Sequence, residues 1–157
     1  MSSSDIPSAQ VLAGLVSKVT ETMFGMSFLL DSDSTKDRPP YETSVPWRTI
    51  VLPINGARQL TVAIASDEPG AMELASAMFG CKQDAVDDGM LTDALSEIAN
   101  IVAGQVKSLM NVDQALGLPK MFQHKNSGID PTVWKCAMLK SQGKQVKVWV
   151  AVAEAKV

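Results

Sequence analysis

One histidine, two cysteines and one tyrosine are spread over 157 residues, so the chain is poor in the side chains that hold transition metals or act as activated nucleophiles. Cys81 and Cys136 stand far apart, and neither lies in a CxxC or Cys/His cluster. A structural zinc site, which gathers four closely spaced ligands, is therefore excluded. His124 has no convergent partners and reads as a surface or strand histidine. No glycine-rich phosphate loop and no G-x-S-x-G elbow occurs. No apolar run approaches the roughly 18 residues that span a bilayer, and the opening MSSSDIPSAQ lacks the basic-then-apolar order of a signal peptide. Positive charge is not in excess: the formal net charge is -3, which offers a phosphate backbone no attraction and argues against nucleic acid as a partner. Together these absences point to a cytoplasmic protein, not bound to a membrane, with two reduced and buried thiols.

What is present suits a globular domain. Hydrophobic residues make up 46% and charged residues 20%, ordinary values for a chain that buries a core. Val11, Leu15, Val19 and Met23 recur every four residues and predict a helix from about Ser8 to Phe24, stopped by Gly25. Residues 31–46, with three prolines, read as a loop. Within it, Asp31-x-Asp33-x-Thr35 with Glu42 faintly resembles a calcium loop, but Lys36 stands where the glycine is required. Ile50, Leu52 and Ile54 alternate along a strand that ends at Asn55-Gly56, a strong hairpin signal, and a second strand follows near Gln59–Ala65. Pro53 implies that the first strand is irregular or at an edge. Helices are expected over Glu68–Phe79, with Pro69 in the first turn and Gly80 as stop, and over about Asp88–Met110, capped by Asp87 or Asp88. Leu116-Gly117-Leu118-Pro119 turns the chain. Two strands, Val133–Leu139 and Val146–Ala153, close it around Ser141-Gln142-Gly143-Lys144. In the last strand Val146, Val148, Val150 and Val152 share one face, while Lys147, Trp149, Ala151 and Ala153 share the other, leaving Trp149 as packed core or an interface residue. Two hairpins flanking a helical pair favour an α+β fold, an antiparallel sheet packed against long helices, over a parallel sheet. The expected organisation is a short tail, residues 1–7, and one domain, residues 8–157.

The long helix carries the functional signal. With about 100° per residue and Asp93 at zero, Glu97 falls near 40°, Asn100 near -20°, Gly104 near 20°, Lys107 near -40° and Asn111 near zero. Leu91, Leu95, Ile98, Val102, Val106 and Leu109 lie between about 140° and 220°. One face is thus buried, and Asp93, Glu97, Asn100, Gly104 and Lys107 face solvent or a partner. Every surface helix has a polar face, but two residues on this one run against helix stability. Asn is a poor mid-helix residue because its amide competes with the backbone, and Gly104 costs about 1 kcal/mol relative to Ala. Residues that weaken a helix without packing the core point to contact with something else.

Asp93-x-x-x-Glu97-x-x-Asn100, in the run LTDALSEIANIVAGQVKSLM, resembles the motif of the CheC/CheX/FliY phosphatases of bacterial chemotaxis. The Asn-Gly hairpin, the strand TVAIAS and the helix AMELASAMFG resemble the same family. CheC-like proteins usually carry two such motifs; a single one makes this chain CheX-like. The resemblance departs at Pro119, which follows Asn100 more closely than the family's proline commonly does. It implies a fold, a CheC/CheX-like α/β sandwich, and an activity, hydrolysis of the aspartyl phosphate on a CheY-type receiver domain. Glu97 and Asn100 would be catalytic, Asn100 orienting the attacking water and Glu97 pairing with the receiver's lysine. Asp93, Gly104 and Lys107 would contact the partner. No cofactor is implied on this chain, Mg²⁺ being expected on the receiver, and a homodimer through sheet edges is implied as well. The same surface also fits a non-catalytic module that docks a receiver or another signalling protein.

Overall fold

The computed structural model describes residues 5–31, 47–122, 134–141 and 146–154. Most of the 31–46 loop with its calcium-like pattern, His124, and the turn between the last two strands lie outside the described residues.

The first helix, α1 (Ala9–Phe24), starts where Ser8 Oγ accepts from the Val11 N–H at 3.3 Å, and stops at Gly25, whose φ of 64° is the left-handed conformation that glycine adopts without strain. Three-residue β1 (Phe28–Leu30) follows. The Asn-Gly hairpin joins β2 (Trp47–Asn55) to β3 (Leu60–Asp67). Asp67 then caps α2 (Glu68–Phe79) by accepting from the Gly70 N–H at 2.9 Å. A Cβ at Gly70 would come within 2.4 Å of Ser66 Oγ and 2.6 Å of Asp67 Oδ1, so the cap requires glycine there. A 3-10 turn, Gln83–Ala85, leads into α3 (Asp88–Met110). The chain continues through β4 (Ala115–Leu116), β5 (Lys120–Phe122), β6 (Trp134–Ser141) and β7 (Lys147–Glu154).

The strands form one antiparallel sheet in the order β1-β6-β7-β3-β2-β4, with β5 also paired to β2. Of the two readings of Pro53, an irregular or an edge strand, the first fits: β2 has partners on both sides, but the ladder on one side is interrupted. Pro53 pairs with Thr61 of β3, and on the other side it falls in the gap between β5, which ends opposite Val51, and β4, which begins opposite Ile54. A residue without an N–H fits where the ladder is interrupted, and its carbonyl is used: the Gly117 N–H donates to Pro53 O at 2.7 Å.

The helices cover one face of the sheet. Ile50, Leu52 and Ile54, Leu60, Val62 and Ile64, and Val146, Val148, Val150 and Val152 are buried against Leu12, Val16, Leu74, Leu95, Ile98 and Val102. The period-2 alternation read from the sequence places these side chains on that face. The opposite face of β3 and β7 is buried too: Trp149, 1% exposed, packs with Trp47, Ala63, Ala65, Met138 and Ala151. Trp149 is core, while Lys147 on the same strand face is exposed. The two cysteines are half-buried rather than buried. Cys81 follows the glycine that ends α2, and Cys136 lies at the margin of the tryptophan cluster.

Two side-chain clamps hold the ends of the layers. Gln114, just after α3, fills the β2–β3 hairpin: its Oε1 accepts from the Arg58 N–H at 3.0 Å and its Nε2 donates to Arg58 O at 2.8 Å and Ile54 O at 3.3 Å. Arg58 in turn grips Glu154 at the end of β7 with both nitrogens, Nε to Oε2 at 2.8 Å and Nη2 to Oε1 at 2.6 Å.

A candidate docking face on the long helix

α3 is anchored at both ends. Asp87 accepts from the Met90 N–H at 2.9 Å, and Asp88 in the first turn suits the positive end of the helix dipole. At the other end Asn111 adopts φ 54° and its N–H donates to the Lys107 and Ser108 carbonyls; asparagine tolerates this left-handed geometry better than most residues. Lys107 in the last turn complements the negative end. Between the ends, Leu91, Ala94, Leu95, Ile98, Ala99, Val102, Ala103, Val106 and Met110 are all buried. The helix is a rigid bar seated on the sheet, with its free side outward.

The apolar face agrees with the wheel except at one residue. Leu109, placed well within that face at about 160°, is 46% exposed in the last turn, and Met110 takes the buried position at the helix end. The polar stripe is less open than expected: Asp93 is exposed, but Glu97, Asn100, Gly104 and Lys107 are half-buried. Gly104 leaves the middle of the row without a side chain. A Cβ built on it would meet nothing within 4 Å, so no packing among the described residues explains a glycine there.

The stripe is also chemically uncommitted. Among the described residues, no hydrogen bond or ion pair occupies the side chains of Asp93, Glu97, Asn100 or Lys107. Asp93 and Glu97 are one turn apart and alike in charge, a spacing that disfavours the isolated helix by a few tenths of a kcal/mol. A helix under selection for stability alone would carry opposite charges at that spacing. What the row offers is a carboxamide with a free donor and acceptor at Asn100, a carboxylate one turn away at Glu97, and an open lane at Gly104.

No described group of three or more His, Cys, Asp or Glu residues is gathered as metal ligands are. Among the described residues no helix is long and apolar enough to cross a membrane. One polar cleft of about 420 Å³, lined among others by Phe24, Met26, Glu73, Ser76 and Ser141, includes no residue of α3. That cleft lies apart from the row, which is a helix face of one exposed and four half-buried residues.

Sequence reading missed the link between this helix and the sheet. Arg48 on β2 is 9% exposed, and its Nη2 reaches Asp88 Oδ1 at 2.9 Å and Glu68 Oε1 at 3.3 Å. The three residues are far apart in sequence, and no local pattern connects them.

Comparison with known proteins accords with this arrangement. The chain superposes on a CheX chemotaxis protein from Desulfovibrio desulfuricans with a TM-score of 0.69 at 18% identity, covering 94% of this chain and 98% of that one. A CheX from Vibrio vulnificus gives 0.66 at 17%, with 92% and 93% covered. A CheX–CheY–BeF₃–Mg²⁺ complex from Borrelia burgdorferi gives 0.68 at 16%, with 97% and 100% covered. At such identities the likeness speaks for the fold. No curated protein matches by sequence. The family model for the chemotaxis phosphatase CheX matches residues 48–141, a span holding the hairpin, α2 and the whole of α3, and on that match the chain belongs to the CheX family.

Proposed function

We propose that the protein accelerates hydrolysis of the aspartyl phosphate on a CheY-type receiver domain, docking it on the outer row of α3. The observation that carries this reading is the uncommitted Asn100 carboxamide on a helix seated firmly on the core. Hydrolysis of an aspartyl phosphate needs an attacking water in line with the leaving carboxylate, neutralised charge and correct position. The receiver brings its own Mg²⁺, lysine and phosphoaspartate, so this chain need supply only orientation. Asn100 inserts its amide: the carbonyl accepts from the water, the NH₂ donates toward the phosphoryl oxygens, and the group carries no charge to repel them. Glu97 pairs with the receiver lysine and sets the register. Asp93 and Lys107 contact the partner at either end of the row, and Gly104 leaves room for its surface. Held geometry alone supplies large rate factors when it replaces a diffusing encounter.

The test is phosphate release from receivers of the same organism charged with acetyl phosphate, with wild type beside Asn100→Ala. Acceleration by wild type, reduced about a hundredfold or more in the variant while receiver binding persists, supports the assignment. A complex that forms without any acceleration would make the protein a docking module instead. The reading also places the protein in the cytoplasm, where its receiver acts, and includes pairing of two copies through sheet edges. For that pairing, β1 ends the sheet among the described residues and exposes Leu29 and Leu30 at 56% and 41%.

A further inference from the structure

We propose that Arg48 is the positioning residue of the docking helix: by pairing with Asp88 and Glu68 it sets how the N-terminal end of α3, and with it Asp93 and Glu97, is held against the sheet. The inference rests on the docking role of α3 proposed above.

Three features make Arg48 a poor choice for stability alone. Its guanidinium is nearly buried while Glu68 and Asp88 are 41% and 77% exposed, so the arginine bears a desolvation cost that pairing with solvent-screened carboxylates offsets only in part. Its two partners are the first residues of α2 and α3, so the cation lies against the positive ends of two helix dipoles, where a cation is disfavoured. Its Nη1 is buried and finds no acceptor among the described residues, and an unmade hydrogen bond on a buried donor is costly.

What Arg48 does supply is geometry. The first turn of α3 has little apolar hold on the sheet: Asp88 and Gly89 are exposed, Met90 is half-buried, and the first buried side chain is Leu91. Asp88 lies at about 220° on the helix wheel, opposite Asp93 at zero and Glu97 at about 40°. Leu91, Ala94 and Leu95 seat this part of the helix, and the Arg48 pairing to Asp88, itself 77% exposed, adds a tether from β2 at the helix start that fixes its rotation and so the angle at which Asp93 and Glu97 are presented. The shared pairing with Glu68 ties the start of α2 to the same point. Asn100 lies further along, where Ile98, Ala99, Val102 and Ala103 hold the helix without help. Arg48 therefore acts on the docking end of the row and leaves the water-orienting residue in place.

The experiment compares wild type, Arg48→Met, Arg48→Lys and Asp88→Asn in receiver dephosphorylation at varied receiver concentration, with thermal melting beside it. Arg48→Met is expected to melt at or above the wild-type temperature yet raise KM about fivefold, equivalent to ~1 kcal/mol of docking, with kcat within about twofold. Arg48→Lys, able to keep one pairing, is expected to fall between. Asp88→Asn alters an exposed side chain and tests the same link should Arg48→Met misfold; it is expected to raise KM in the same sense. A merely structural role would instead lower the active fraction, so that kcat falls and KM stays put. That pattern, or an unchanged KM in both Arg48→Met and Asp88→Asn, overturns the inference. Should wild type accelerate no receiver, the docking proposal fails by itself, and amide hydrogen exchange decides the Arg48 role. Faster exchange across 88–97 with 98–110 unchanged upholds it, and identical exchange throughout refutes it.

Discussion

At Gly104 the proposed contact role can be separated from folding. Nothing lies within 4 Å of the Cβ it lacks, and its φ falls outside the left-handed range. Alanine there should fit at once and stabilise the fold by about 0.5–1 kcal/mol, because it removes backbone freedom from the unfolded chain. Urea denaturation of Gly104→Ala would register this as a higher midpoint. A large side chain should behave differently: Gly104→Leu is expected to fold as well as wild type but to weaken receiver binding by at least tenfold in a titration, since it raises the floor of the lane between Asn100 and Lys107. Unimpaired binding by Gly104→Leu would remove Gly104 from the contact surface. The motif residues themselves were legible in the sequence because Asp93, Glu97 and Asn100 sit at helical spacing in a strongly periodic helix. Their half-burial was not legible, since it depends on neighbouring side chains that the wheel does not contain.

At the level of elements, all three helices were predicted to within a residue or so. Each is long, periodic and bounded by a residue with a local reason to be there: Ser8 and Gly25 for α1, Asp67 and Gly80 for α2, Asp87 and Asn111 for α3. The four longer strands were legible by alternation. The short strands β1, β4 and β5 were not, because two or three residues carry no period and their pairing is decided by distant partners such as Leu139, Ile54 and Ile50. The Gln114 clamp belongs to the same class. Its three hydrogen bonds to the hairpin span more than fifty residues of sequence. Replacing it with alanine strands the Arg58 N–H and empties the space that excludes any Cβ at Gly56, where Gln114 Cδ lies 2.5 Å from the built position. Gln114→Ala should therefore cost about 1–3 kcal/mol, read as a lowered denaturation midpoint with an unchanged slope.

Across the whole molecule, two carboxylates pull the pH dependence of stability in opposite directions. Arg58 hydrogen-bonds Glu154 and holds its carboxyl below the usual range. Glu154 thus stabilises the folded state above its ordinary pKa, and that contribution is lost as pH falls through the lowered value. Burial pushes Asp67 upward, outweighing the Gly70 N–H and Lys147. Its contribution is complete only below the ordinary pKa and is lost as pH rises through the raised value, so at neutral pH the buried charge is a burden. Glu154→Gln should lower stability near pH 7 by about 0.5–1 kcal/mol, with the gap closing toward about pH 3. Asp67→Asn, which keeps an acceptor for the Gly70 N–H, should equal or exceed wild type near pH 7 and lose that advantage in acid. Denaturation curves over that range would check both. Charge is also unevenly distributed: residues 67–97 hold eight carboxylates and one lysine, and the proposed docking row begins at the end of this stretch.

The interruption at Pro53 has a consequence for how copies of the chain can join. A long, flat strand at the rim of a sheet is a template on which other chains can stack. On the β2 side that rim is split into two short pieces, β5 and β4, with a proline opposite the break and its carbonyl already taken by Gly117. Runaway stacking is blocked there, much as a zip stops at a missing tooth. On the proposed pairing through sheet edges, the other end, at Phe28–Leu30, is then the favoured place for two copies to meet. Analytical ultracentrifugation is accordingly expected to find a dimer that Leu29→Lys converts to monomer, with no higher species in either sample.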